Sequence, residues 1–574
     1  MEIIMLKKKW LLKEFDKARV LEISKEFQIS PLTSIILYNR GIREDEAIKK
    51  FLSKDLGVMY DPFLMRDMDK AVERIYAAKN SGEKITIYGD YDVDGITAIA
   101  ILYKHLKELG ISVDYYVPDR MQEGYGVNRD ALDKIKEEGS SLIITVDTGI
   151  TAVEECEYAS SIGLDVIVTD HHECKEKIPE VYAAIDPKRK DCGYPFKSLA
   201  GVGVVFKLIQ ALDGNKSLPD LMEKYADLMC LGTVADISPL IDENRIIVTE
   251  GLKRFKNTKN IGLKALIDVS TNGKAITTST IGYIIAPRIN ASGRLGCASR
   301  SVELFLTDDE ENAQKLANSL CEENTLRQQT EQKMFKEALE YIENHPEIKD
   351  DKILVIPHEE WHHGIVGIVS SKITEKFYKP SILFAIDGDE AKGSGRSVSG
   401  FNLFGALENC SDLLEKFGGH ELAAGLTIKA ENIASFREKI NNLSKDSLDE
   451  EKLVPTIMLD AAIKVPYITI ETVHDINRLQ PFGVDNPNPA FAVRNIKIHK
   501  ISVMSDGKHL RMTLFKDGKY LDSVGFGMGE YYHHLEEGDF IDVAFALDIN
   551  DYKGFQNVQL ILKDIKKVGE ETDN

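Results

Sequence analysis

Tyr88-Gly-Asp-Tyr-Asp-Val-Asp-Gly95 places three aspartates, Asp90, Asp92 and Asp94, at alternate positions directly after the apolar run Ile85–Tyr88. The run reads as a strand, and Ile96–Leu109 beyond it reads as a helix. The stretch is therefore a strand that turns into a helix through a carboxylate-rich loop. The spacing also opens like a calcium-binding EF-hand loop, whose twelfth position should be a bidentate glutamate. That position holds Ile101, and a strand precedes the loop where an EF-hand has a helix, so the calcium reading fails.

Working outward, Leu142–Val146 ends in Asp147, and Val166–Thr169 ends in Asp170-His171-His172-Glu173. Helical runs at Arg129–Glu138 and Val153–Ile162 separate the strands, and Ser112–Val117 adds another strand. Repeated βαβ units predict a doubly wound parallel sheet, which binds ligands at the carboxyl ends of its strands. Carboxylates and imidazoles gathered there crowd negative charge, which is costly unless a cation sits among them. The donor set suits manganese or magnesium, with imidazole favouring manganese. Two such ions about 4 Å apart clamp a phosphoryl centre and activate water. Zinc fits less well, because Cys174 near His172 has no second cysteine at a zinc spacing. Taken singly, Asp147 and Asp170 could be helix caps and His171 and His172 satisfied core groups. Their joint placement at neighbouring strand ends argues for chemistry.

The chain has 574 residues, too many for one core, and three or four domains are expected. A net charge of −21 excludes loose electrostatic binding to nucleic acid over the whole surface, though a local basic groove remains compatible with it. The start, Met1-Glu-Ile-Ile-Met-Leu-Lys-Lys-Lys, has no apolar stretch of a secretory signal, and no run is long enough to span a bilayer. Seven cysteines without a C-x-x-C pair fit reduced thiols, and a cytoplasmic protein is expected.

Residues 1–75 read as a helical segment, with Ser30-Pro31 as a helix start and Pro62 as a breaker. Residues 76–307 hold the parallel sheet and, from 219, mostly helix. A polar helical stretch at 308–350 reads as a strut roughly 60 Å long. A second αβ domain spans 351–447 and carries Gly393-Ser-Gly-Arg-Ser397 and Gly418-Gly-His-Glu-Leu-Ala-Ala-Gly425. Residues 455–568 alternate at period two, with an Asp517-Gly518 hairpin signal, and suggest an OB-like β-barrel.

These motifs carry a resemblance. Tyr88–Gly95, Thr145–Gly149, Thr169–Glu173 and Thr233-Val-Ala-Asp-Ile237 resemble the four motifs of the DHH phosphoesterase superfamily, and Gly418–Gly425 resembles the signature of its associated second domain. With the barrel added, the order is similar to the superfamily's branch of 5′→3′ exonucleases, which are specific for single-stranded DNA and act in repair and recombination. The resemblance implies two Mn2+ or Mg2+ ions. Asp92 and Asp94 would each hold one and Asp147 would bridge them, with His171 and Asp236 completing the set and Asp90 as an additional acidic position. Related polyphosphatases have a histidine where this chain has Tyr88. His172 would sit by the scissile phosphate, with Arg294 nearby. Arg120, Ser394 and Arg396 would bind the 5′-phosphate, a task suited to planar guanidinium groups. His420, Gly418 and Gly419 would face the substrate channel. Phe515, Tyr520, Phe526, Tyr552 and Phe555 of the barrel could stack bases, although strand aromatics are more often core. A RecQ-type helicase and a single-strand-binding protein are implied partners, and the chain is expected to be a monomer.

Two other functions fit parts of this pattern. A DHH phosphodiesterase acting on short oligonucleotides or cyclic dinucleotides would keep the metal residues, but such relatives lack a barrel. A catalytically dead scaffold would lose those carboxylates, and here they are all present.

Overall fold

Five short apolar runs between Lys84 and Ile185 pair into one parallel sheet. They are β1 (Lys84–Gly89), β2 (Val113–Tyr116), β3 (Ser140–Val146), β4 (Asp165–Thr169) and β5 (Ala183–Ile185), in the spatial order β2-β1-β3-β4-β5. This is the doubly wound arrangement, with its switch point between β1 and β3. β1 and β3 are buried on both faces, which explains their near-continuous apolar sequence. The computed structural model describes residues 7–569 apart from 121, 122, 125, 215, 216, 446, 447, 450 and 553.

The helix Val93–Glu108 follows β1 and packs its apolar positions into the first core, together with the helices Gly201–Leu212 and Leu218–Ala235. β5 has only three residues, too short for a periodic signal, and the sequence reading missed it.

The strut is a single helix, Glu310–Asn344, about 52 Å long. Its first half buries Ala313, Ala317 and Leu320 in the core of the parallel sheet. Its second half buries Met334, Ala338 and Ile342 against the next sheet. That sheet runs Leu414–Gly419, Ala423–Lys429, Glu390–Arg396, Ser381–Asp387, Leu354–His358, with only the last two parallel. The C-terminal strands close into a barrel, because Phe491–Met504 pairs with both His509–Lys516 and Phe540–Tyr552. Asp517 and Gly518 both have positive φ at the predicted hairpin.

The all-helical reading of the N-terminal segment needs correction. Lys9–Leu12 is a strand, paired in parallel with Thr456–Leu459. Its partner lies more than four hundred residues away, so no local pattern marks it. The helices Lys17–Glu26, Pro31–Asn39 and Asp45–Ser53 follow, and their Ile23, Ile36, Leu37 and Ile48 share a core with Ile496, Leu510 and Val543 of the barrel. Fully buried Arg245, from the helix Asp242–Phe255, lies 3.9 Å over the Phe51 ring and donates to the Leu479 carbonyl at 2.7 Å. One guanidinium thus joins the N-terminal helices, the helical part of the first domain and the barrel's edge.

Candidate metal centre and substrate cleft

β1 delivers Asp90, Asp92 and Asp94 to the switch point, and β3 delivers Asp147 beside them. Asp92 caps the helix Val93–Glu108, accepting from the N–H groups of Asp94 (2.9 Å) and Gly95 (3.1 Å). Asp94 is only 1% exposed and accepts from the N–H groups of Gly201 (2.6 Å) and Val202 (2.9 Å) at the start of another helix. That approach leaves no room for a side chain: a Cβ added at Gly201 would lie 2.7 Å from Asp147 Oδ1. Asp147 itself has φ +57, in the left-handed region that aspartate tolerates better than most residues.

β4 ends in Asp170, His171 and His172. His171 Nε2 stands 3.0 Å from Asp147 Oδ1 and 4.0 Å from Asp94 Oδ2, and its Nδ1 is 4.0 Å from Asp236 Oδ2. Asp236 closes the helix Leu218–Ala235 and accepts from the Ser238 hydroxyl at 2.6 Å. Ligand atoms converge within 4.8 Å in the groups Asp90–Asp92–Asp147, Asp94–His171–Asp236 and Asp147–His171–His172. The sequence-predicted metal residues therefore meet in one place. Asp90 stands with Asp92 and Asp147 rather than behind them.

The electrostatics match a site built for cations. Burial, followed by repulsion from neighbouring carboxylates, holds Asp94 and Asp147 well above the usual carboxylate range. Burial and Asp92 push Asp90 up to about 8, and burial raises Asp236. Burial lowers His171, keeping it neutral as a ligand must be. Asp147 Oδ1 and His171 Nε2 are buried, and neither makes a hydrogen bond of good geometry among the described residues. Buried polar atoms without partners are rare, and a cation beside these two, which stand 3.0 Å apart, would satisfy both. The residues present fit a pair of divalent ions.

His172 differs from its neighbour. Its Nδ1 is 2.7 Å from Asp170 Oδ1, and Asp170 is fixed in turn by the N–H groups of Ile150 (2.9 Å) and His171 (2.7 Å). Burial opposes a charge on His172, but the Asp170 bond outweighs it and pushes His172 up to about 9. An imidazole tied to a carboxylate in this way is suited to donating a proton, and by distance His172 could also be a ligand. The orienting role of Asp170 was missed in the sequence, where its place before the paired histidines was the available signal.

The predicted phosphate contacts also converge, from separate domains. The Arg120 guanidinium lies 5.1 Å from the Tyr91 ring, within the acidic loop. Arg294 Nη1 donates to the Gly364 carbonyl at 2.8 Å, across the two domains. Arg396 Nη1 donates to Ser394 Oγ at 3.0 Å, and a Cβ added at Gly367 would lie 2.9 Å from that same oxygen. Burial and then Arg120 lower both Arg294, to about 10, and Arg396. Guanidinium groups gathered in this way, in a protein with charge −21, suit an anion. His362 and His363 start the helix that holds Gly364 and Gly367, and no sequence motif had drawn attention to them. Gly418 and Gly419 pair with Gly425 and Ala424, which pair in turn with Ser394 and Gly395, and exposed His420 lies at that hairpin's turn. In the barrel, Tyr520, Phe526 and Phe555 are exposed while Phe515 is half-buried; the Tyr552 side chain lies outside the described residues.

Residues 84–233 match the DHH family N-terminal domain, residues 350–446 the DHHA1 domain, and residues 459–564 the RecJ OB domain. The chain is 42% identical over 563 residues to the single-stranded-DNA-specific exonuclease RecJ of Bacillus subtilis, covering 97% of this chain and 71% of that one. The chain belongs to the RecJ family. The RecJ of Escherichia coli is 34% identical over 561 residues, covering 94% of this chain and 96% of its own length. The crystal structure of Thermus thermophilus RecJ in complex with Mn2+ superposes with a TM-score of 0.83 at 29% identity, covering 97% of this chain and 79% of that one. The Mg2+ complex of the same RecJ superposes with a TM-score of 0.77. The parallel-sheet domain, linking helix, second αβ domain and C-terminal barrel are thus the RecJ architecture.

Proposed function

We propose that this chain is a divalent-cation-dependent exonuclease that degrades single-stranded DNA from its 5′ end, acting in DNA repair and recombination. The observation that carries the reading is the buried pair Asp147 Oδ1 and His171 Nε2, 3.0 Å apart where two groups of ligand atoms meet. The B. subtilis and E. coli relatives, both single-stranded-DNA-specific exonucleases, support the activity, and the Mn2+ and Mg2+ complexes of the T. thermophilus relative support the cofactors.

When bound, two Mn2+ or Mg2+ ions in this site would supply Lewis-acid charge at the scissile phosphate. Asp90, Asp92 and Asp147 would hold one, and Asp94, His171 and Asp236 the other. His172 sits beside the phosphate as an imidazolium. With Nδ1 committed to Asp170, Nε2 is the ring nitrogen that delivers a proton to O3′ as a water oxygen bonds to phosphorus, losing its own proton to solvent, and the P–O3′ bond breaks. Arg294 fixes the scissile phosphate while bridging to Gly364. Arg120, Ser394 and Arg396 hold the terminal 5′-phosphate, and His420 with Gly418 and Gly419 lines the channel beside them. Cleavage on the O3′ side leaves a phosphate on the shortened strand, so each turnover regenerates the group that the arginines bind.

An enzyme fed by a single strand needs a duplex opened for it. A RecQ-type helicase and a single-strand-binding protein are the partners that suit this reading, with the chain itself acting as a monomer. Among the described residues no helix is long and apolar enough to cross a membrane, in keeping with a cytoplasmic enzyme. Action on short oligonucleotides or cyclic dinucleotides is the second reading, and the exposed barrel aromatics, useless to a dinucleotide, disfavour it. Digestion of a long 5′-labelled strand beside a dinucleotide, with Mn2+ titrated, separates them. Preference for the dinucleotide overturns the exonuclease.

A further inference from the structure

We propose that Tyr283 and Ile237 form a base-stacking lip at the mouth of the metal centre, gripping the single strand a few nucleotides from the bond being cut. The inference rests on the exonuclease reading above and adds to it a binding subsite.

Two anomalies carry it. The first is Ile237, the residue directly after Asp236. It has φ +62 and is 70% exposed. A β-branched residue in the left-handed region is a true outlier, and the strain persists only where the surroundings impose it. Nothing in the core benefits from an isoleucine pointing outward there. The second is the turn Ile281–Ile285, which is π-helical within the helical run Thr278–Leu295. Such π-turns are rare and occur often at functional sites. This one buries Ile281 and Ile285 and leaves Tyr283 84% exposed, the most exposed large apolar side chain among the described residues.

The segments that carry the two share an anchor. Leu240, just beyond Ile237, donates its N–H to the Val484 carbonyl at 2.8 Å. Thr278, at the start of the Tyr283 helix, donates to the Phe482 carbonyl at 2.8 Å. The three-residue stretch 482–484 therefore ties both segments together, and its own Val484 is 39% exposed. At the other end of the same helix Gly293 lies against the Tyr91 carbonyl in the acidic loop. Pro287, Asn290 and Arg294 are spaced for one face of the α-helix Ala286–Leu295, which the π-turn of Tyr283 precedes, and none of the four is fully buried. Tyr283 is eleven residues from Arg294, at most about 16 Å along the helix axis. A strand whose scissile phosphate meets Arg294 and continues along the helix arrives at Tyr283 after a few nucleotides. An exposed aromatic and an exposed aliphatic, on segments anchored to the same stretch, then offer a surface for nucleobases of any sequence. A base still paired within a duplex cannot present its face there, so the lip would also favour single strands.

The test uses the full-length chain, Mn2+ and 5′-phosphorylated single strands. Tyr283→Ala should raise KM for a long strand between about fivefold and a hundredfold, the range for losing one stacked base, while kcat changes less than twofold. Tyr283→Phe should restore wild-type KM, because stacking does not need the hydroxyl. A single abasic site scanned along the strand should raise the wild-type KM sharply at one or two positions and leave the Tyr283→Ala enzyme unaffected at those positions. Ile237→Gly relieves the backbone strain, so its melting temperature should hold or rise while KM for the long strand still increases. Unchanged KM in Tyr283→Ala, or an abasic penalty that persists in that variant, overturns the lip. Failure of the wild-type chain to degrade single strands at all would instead remove the underlying exonuclease reading.

Discussion

Asp170 Oδ1 accepts from His172 Nδ1 at 2.7 Å, and this bond is what separates the two adjacent histidines of the site chemically. His171, without it, is neutral and suited to a metal; His172, with it, is raised to about 9 and suited to giving a proton. Asp170→Asn keeps the shape but removes the charge that holds the imidazolium. Activity on single strands should then fall on its alkaline limb at a pH lower by one unit or more, with Mn2+ binding little changed. A pH–rate profile superimposable on the wild type would sink the proton-donor role.

The same bond makes a stability prediction. A histidine raised from 6.5 to about 9 contributes stability that is complete below pH 6.5 and is lost as the pH rises through about 9. The buried aspartates act in the same direction. Asp90, raised from 3.8 to about 8, has its ionised form disfavoured in the fold, so stability declines from about pH 4 until the pH passes 8. Chelated protein should therefore melt at progressively lower temperature between pH 5.5 and 8.5. Added Mn2+ should reverse the trend, because bound cations favour the ionised carboxylates. Thermal melts across pH with chelator or Mn2+ check this, and parallel curves would contradict a cation site.

Asp147 stands in both the Asp90–Asp92 group and the His171 group. Asp147→Ala should abolish cleavage with Mn2+ present. The chelated variant should be as stable as the wild type or more so near pH 8, since a buried, repelled carboxylate is gone. Circular dichroism and Mn2+ titration together distinguish this outcome from misfolding.

Arg396 holds Ser394 and shares its cleft with Arg120 and Arg294. A charge-assisted hydrogen bond is worth about 1.5–3 kcal/mol, so Arg396→Ala should raise KM for 5′-phosphorylated strands by about ten- to a hundredfold. Strands ending in a 5′-hydroxyl should be affected far less. Equal losses on both ends would remove Arg396 from the terminal-phosphate pocket.

Much of this site was legible because its chemistry sits at strand ends. Asp92, Asp147 and His171 each follow an apolar run, and a parallel sheet brings such ends together whatever their sequence separation. What the sequence hid depends on contacts between distant segments. Lys9–Leu12 becomes a strand only beside Thr456–Leu459, and Asp170 looks like a cap until its partner is seen. The left-handed backbone at Ile237 contradicts the residue's own preference, so no propensity could reveal it.

Gly201 was equally silent in the sequence, lying in a run that reads as an ordinary apolar helix start. Its N–H and that of Val202 bind both oxygens of Asp94, while its missing side chain lets Asp147 approach. One glycine thus positions a carboxylate from each of two strands. Gly201→Ala forces a methyl group to within 2.7 Å of Asp147 Oδ1, so either the helix or the aspartate must move. Overpacking of this kind costs about 1–3 kcal/mol, which a protein of this size should survive as a lowered melting temperature. The metal centre should suffer more than the fold, because a ligand displaced by a fraction of an ångström loses its coordination while the core merely relaxes. Mn2+ affinity, followed by the paramagnetic resonance of the free ion, should fall at least about tenfold. Gly203→Ala, two residues along the same helix and next to Leu199 instead of a ligand, should leave that affinity unchanged. Equal loss of affinity in the two variants would show that Gly201 serves the helix alone.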